Sequence, residues 1–129
     1  MDNIIQTLQS MNDCIHGKGV KESEIQQTEL ELEVKFAGDY RQYLLSFGLV
    51  AYDGHELTGI TKSKRLNVVD VTKKARQYTT NVPDDWYVIE ETNIDGIVIW
   101  QSSEGTIYQT QPGHTPAVIC NSLNEYIDL

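Results

Sequence analysis

Lysine and arginine are missing from the last stretch of this 129-residue chain. Residues 1–61 hold four of them against ten aspartates and glutamates, residues 62–76 hold six against one, and residues 77–129 hold none against eight. With a net charge of −9, such a surface repels nucleic acid and anionic lipid and favours a basic protein partner through steering and complementarity. An acidic surface also keeps a protein dissolved with no partner at all, so charge alone does not choose between the two. Cysteine is scarce: Cys14 and Cys120 are far apart, make no CxxC, and read as reduced, partly buried packing residues. Proline is scarce too, at three residues, and no low-complexity tract occurs, which excludes disordered and fibrous classes. No apolar run reaches membrane-spanning length, and MDNIIQTLQS lacks the basic start and continuous apolar stretch of a secretory leader, so a cytoplasmic location is expected.

Reaction chemistry is equally thin. His16, His55 and His114 fall in separate loops without partners at ligand spacing, so neither a metal nor a cofactor is expected. Cys14 and His16 are neighbours, yet a nucleophile needs a base oriented by a third group, and none is visible. GxSxG, the phosphate-binding loop and GxGxxG are absent. The carboxylates Asp84, Asp85, Glu90, Glu91 and Asp95 do not single out an acid–base pair. The expectation is a non-enzyme that works by binding.

What is present points to one α+β domain over residues 1–129, with N-terminal helices packed on an antiparallel meander and a short C-terminal helix. Ile4, Ile5, Leu8, Met11 and Ile15 share a helical face, predicting a helix over 2–12. Ser23-Glu24-Ile25-Gln26 matches a capping box, opening a second helix that runs to about Glu33. Tyr40, Tyr43, Leu44 and Phe47 follow i, i+3, i+4, i+7 and are assigned to the core of a third helix, with Asp39 at its positive end and Gly48 at its stop. Asn67 is placed to cap a basic helix through Tyr78, although Val68, Val69 and Val71 also suit a strand. From Val82 onward the pattern turns to short β-rich runs at 86–89, 97–100, 106–108 and 117–119, separated by turn chemistry at 93–96 and 103–105. Ser122-Leu123-Asn124-Glu125 is a second capping box.

Ile25, Glu29, Leu32, Phe36, Asp39-Tyr40, Tyr43-Leu44 and Gly48, followed by Leu57-Thr58-Gly59-Ile60, resemble in order and spacing the opening of SUKH-superfamily domains, named for their relation to fungal cell-wall-assembly regulators. The later runs are similar as well: the strand at Trp86–Glu90, the Asp95-Gly96 turn, the strand after Glu104-Gly105 and the closing Asn121–Ile127. The resemblance covers roughly residues 22–128. Two positions depart from it, since Glu33 stands where the family has Gly and Ala37 where it has Pro.

The resemblance implies an α+β protein whose bacterial relatives are immunity proteins that bind and neutralise a toxin domain, many of which act on nucleic acid through basic clefts. The acidic C-terminal stretch fits that role. The expected docking surface is Asp84, Asp85, Trp86, Glu90, Glu91, Asp95, Trp100 and Glu104, with Tyr87 and Tyr108 as further anchors where they reach the surface. Trp86 and Trp100 could equally fill the core, because period-two alternation sends neighbouring side chains to opposite faces. The expected partner is a toxin with a basic surface, not nucleic acid or membrane, and the free protein is expected to be a monomer. The basic residues Lys62, Lys64, Arg65, Lys73, Lys74 and Arg76 read as a solvated face. Two other readings stay open: a regulatory interaction module like the fungal regulators, or a ligand-binding or enzymatic domain, which would show a concave pocket with perturbed titratable groups.

Overall fold

A computed structural model describes residues 4–11, 13–79 and 81–129. Along the chain come α1 (Ile4–Gln9), β1 (Ile15–His16), α2 (Glu22–Leu32), α3 (Gly38–Ser46), β2 (Val50–Tyr52), β3 (His55–Glu56) and α4 (Val68–Tyr78). Then follow β4 (Tyr87–Glu91), β5 (Val98–Gln101), β6 (Ile107–Thr110), β7 (Ala117–Cys120) and α5 (Leu123–Asp128). The strands form two antiparallel sheets, β1-β2-β3 and the meander β4-β5-β6-β7, so the α+β class and the terminal helix are as expected. Beginning in α1 at Ile4 and Leu8, the expected helix breaks off early. Ile15 leaves its face to join a strand and stands 76% exposed, while positions 2, 3 and 12 lie outside the described residues.

The long meander divides the core in two. Tyr87, Ile89, Ile99 and Ile107 pack with Tyr40, Tyr43 and Leu44 of α3, Leu8 of α1 and Leu123 of α5. Trp86, Val88 and Trp100 project to the other side, where Val71 of α4 closes over them. Alternation along β4 thus fills two compartments, which is why a run of apolar residues here shows no polar face.

Local chemistry sets the element ends. Asn67 accepts from the Val69 N–H at 2.9 Å and starts α4, and Ser122 accepts from the Glu125 N–H at 3.1 Å to start α5. The Ser23 box does not form: α2 begins after Lys21, whose N–H donates to Glu24 Oε2 at 3.2 Å, and Ser23 is already inside the helix. Glu33 ends α2 in the left-handed conformation, φ 56°, so it takes the backbone that the family gives to glycine. Gly48 (φ 69°) stops α3, and Gly59 lies so close to it that a Cβ there would sit 1.9 Å from the Gly48 carbonyl oxygen. That contact explains a glycine in Leu57-Thr58-Gly59-Ile60.

Buried hydrogen bonds fasten the layers. Tyr43 donates to the Thr58 carbonyl at 2.7 Å and accepts from the Val50 N–H at 3.1 Å, while Thr58 Oγ1 donates to the Val88 carbonyl at 2.8 Å. A second chain starts at the Ala37 N–H, which donates to the Tyr87 hydroxyl (2.9 Å); Tyr87 donates to Gln101 Oε1 (2.7 Å), and Gln101 Nε2 donates to Asp39 Oδ1 (2.9 Å). Asp39 Oδ2 then accepts the Leu123 N–H at 2.8 Å. Asp39 does lie in the first turn of α3, but its carboxylate is spent on the sheet and on the start of α5.

Candidate functional site

The eight residues expected to form one docking surface do not come together. Trp100 is fully buried, with its indole N–H donating to Thr110 Oγ1 at 2.8 Å. Trp86 is 6% exposed and lies flat on Tyr108, ring centroids 4.0 Å apart, and Tyr87 is buried in the network described above. Trp86 and Trp100 are core because the covering helix α4 turns the second sheet face into an interior, and Tyr87 is core because it packs beneath α3 on the first face. Glu90 is also corrected: it is 4% exposed and faces inward. Of the remainder, Asp84 and Glu104 are exposed, and Asp85 accepts from the Ser103 N–H and hydroxyl at 3.2 and 2.9 Å. That trio sits where β4 begins and β5 turns into β6. Glu91 and Asp95 are exposed at the opposite end of the sheet, roughly 20 Å away at the rise of a strand.

Glu90 turns inward because the β4–β5 register slips between Val88 and Glu90, so that Glu90 stands opposite Ile99 on the α5 side. Its carboxylate receives the Tyr126 hydroxyl at 2.5 Å and faces His55 Nδ1 at 3.0 Å from each oxygen. The His55 ring in turn stacks on Tyr52, centroids 5.0 Å apart. Burial first, then the hydrogen bond and charge of Glu90, pushes the Tyr126 hydroxyl far above its ordinary value. Burial likewise raises Tyr52, helped by the charges of Glu90, Asp53 and Asp128. A phenol moved in that direction is a poor proton donor near neutral pH; the trio secures a buried charge.

Over this trio lies a shallow depression of about 320 Å³ lined by His55, Ile94, Ile97, Ile119, Tyr126 and Leu129 among others. Ile94 is 62% exposed, Ile97 and Ile119 are half-buried, and the lining contains no lysine or arginine. Asp53, Asp95 and Asp128, all exposed, are chain neighbours of lining residues or carboxylates felt at Tyr52. The trio and the apolar depression escaped the sequence reading. The available signal was Ile94, an apolar residue inside a turn of otherwise turn-forming residues.

A second concavity runs beside α4. One part, about 400 Å³, is lined by Lys74, Ala75, Tyr78, Glu91, Val98 and Pro112; the next, about 460 Å³, adds Glu56, Lys64, Arg65 and Asp70 and shares Lys74 and Glu91. Of the three cations that line it, Arg65 is engaged. Arg65 forks onto Glu56 at 2.8 and 2.9 Å, and that hydrogen bond holds the Glu56 carboxyl below its usual range. Arg76 donates to the Asp84 carbonyl at 3.1 Å. Cys14 and Cys120 are free thiols, half-buried and raised by burial. Among the described residues no group of three or more His, Cys, Asp and Glu is placed to hold a metal ion, and no helix is long and apolar enough to cross a membrane.

Fold and site together define an α+β domain whose sheet carries the basic helix α4 on one face and borders, on the other, an apolar depression whose lining holds no lysine or arginine. The chain belongs to the SUKH superfamily: the SUKH_5 family model, described as SMI1-KNR4 cell-wall, matches residues 1–128. The match extends the resemblance upstream over α1. No curated protein matches the chain. Membership fits a protein-interaction role.

Proposed function

We propose that this domain is an immunity protein, which binds a cognate bacterial toxin domain in the cytoplasm and masks it by association, without catalysing a reaction. One observation carries the reading. Residues 77–129 supply the whole four-stranded sheet and α5, and every fixed side-chain charge among them is a carboxylate. A toxin that cuts nucleic acid needs a basic cleft to hold phosphates, and an acidic protein surface is drawn to such a cleft and covers it. The alternative, a regulatory interaction module, draws on the cell-wall description of the matched family.

The test is recovery of the tagged domain from lysate and secreted fraction of its native cells, with bound chains identified by mass spectrometry. The expected result is a toxin domain whose activity falls stoichiometrically when the pure protein is added back. Recovery of regulatory proteins alone would favour the alternative, and a toxin that stays fully active in the complex would sink the masking mechanism.

A further inference from the structure

We propose that the docking site for the basic partner is the depression between the β4–β5 turn and α5, and that the partner inserts there an apolar side chain flanked by lysine or arginine. The proposal rests on the reading of this domain as a binder of basic protein and deepens it by placing the site. Three observations carry it.

The first is Ile94. It is 62% exposed in a turn whose neighbours Asn93, Asp95 and Gly96 all have positive φ, at 58°, 53° and 73°. Asn and Asp tolerate that backbone better than a branched residue would. The turn is also tied internally: the Ile97 N–H donates to the Ile94 carbonyl at 2.9 Å, and Thr92 Oγ1 donates to the Ile97 carbonyl at 2.8 Å and accepts the Ile94 N–H at 3.2 Å. An apolar side chain is therefore held out to solvent on an ordered support, so little conformational freedom is lost when a partner covers it.

The second is continuity. Ile94 joins Ile97 and Ile119 around a hollow floored by Ile99 and Tyr126, a concave surface of about 320 Å³ that receives one large side chain. The third is charge. No lysine or arginine lines the hollow, and the exposed Asp95 and Asp128 adjoin its lining residues Ile94 and Leu129 in the chain, while the exposed Asp53 lies two residues from the lining residue His55. An apolar centre with a one-signed rim is the arrangement in which the centre provides the binding energy and the rim speeds encounter and selects the partner. The concavity beside α4 lacks this character, because Lys64, Arg65 and Lys74 share it with Glu56, Asp70 and Glu91.

The probe is a synthetic peptide alternating leucine and lysine, with an all-lysine peptide as control, titrated into the isotope-labelled domain while backbone amide shifts are followed by NMR. Shifts centred on residues 92–97, Ile119 and Tyr126, with the leucine peptide binding at least about tenfold more tightly than the control, are expected. Ile94→Ser should remove that preference at an unchanged melting temperature. Asp95→Asn, which keeps a residue tolerant of the turn, should weaken both peptides. Shifts confined to the α4 groove or to the Asp84–Glu104 end would overturn this site while leaving the basic-partner reading intact. Absence of binding by either peptide would overturn both. A concentration-dependent dimer of the free protein that Ile94→Ser abolishes would make a second copy the occupant, and the proposal would fall.

Discussion

At the scale of single residues, Glu90 shows how a surface expectation becomes an interior fact. It belongs to an acidic run that looks solvated, yet it is 4% exposed and bound by Tyr126 and His55. Glu90→Gln would turn an amide N–H₂ toward donors already aimed at a carboxylate, so urea unfolding should register a loss of about 2 kcal/mol. A variant chosen to probe docking must therefore leave this position alone. The tyrosines give a pH prediction. Tyr40, Tyr43, Tyr52, Tyr87 and Tyr126 are all raised, in each case chiefly by burial. A raised folded-state value means that the folded chain holds these protons more tightly than the unfolded one. Their contribution is complete below the ordinary phenol value near 10 and is lost as pH climbs past it. Absorbance titration should show these hydroxyls ionising only together with loss of the fold above about pH 10; ionisation of all tyrosines in a chain still folded would refute this.

Among elements, the joint between α2 and α3 explains both departures from the family pattern. Glu33 adopts the left-handed backbone at a cost that glycine avoids, so Glu33→Gly should stabilise the protein by about 1 kcal/mol in chemical denaturation. Ala37 has φ −63°, a value proline could adopt, but its N–H donates to Tyr87. Ala37→Pro should therefore destabilise by about 1–2 kcal/mol, and an Ala37→Pro protein as stable as the parent would contradict the network. The joint is further held by Glu29, which accepts from the Phe36 N–H at 2.8 Å and pairs with Arg41 at 2.7 Å, with Glu22 also on Arg41. α3, α4, α5 and the meander were legible because each carries a local signature: the Tyr40–Phe47 stripe, the Asn67 cap, the Ser122 cap, and turns at 93–96 and 103–105. β1, β2 and the end of α1 were not, since Ile15-His16 and Val50–Tyr52 are short strands stabilised by pairing with distant residues. The inward turn of Glu90 depends on a register slip that no local pattern announces.

For the whole molecule, folding lays the basic helix α4 against the acidic C-terminal sheet, so that Lys74 shares a concavity with Glu91 and Arg76 reaches the Asp84 carbonyl, and the sheet divides its exposed carboxylates between opposite ends. Neutralising Glu91 and Asp95 together should lower the association rate with a basic partner several-fold and flatten its salt dependence, while the pair Asp84 and Glu104 should have a smaller effect. Stopped-flow association at two salt concentrations measures both, and equal effects would mean that docking ignores the ends of the sheet. The relay from Ala37 through Tyr87, Gln101 and Asp39 to Leu123 has a consequence in time as well as in space. The amide that closes it belongs to α5, which the ribosome makes after every strand of the meander. Until Leu123 has been added, Asp39 Oδ2 lacks the amide it accepts and the core that α1 and α3 share with the meander lacks its last apolar wall, so these contacts form only after every strand has been made.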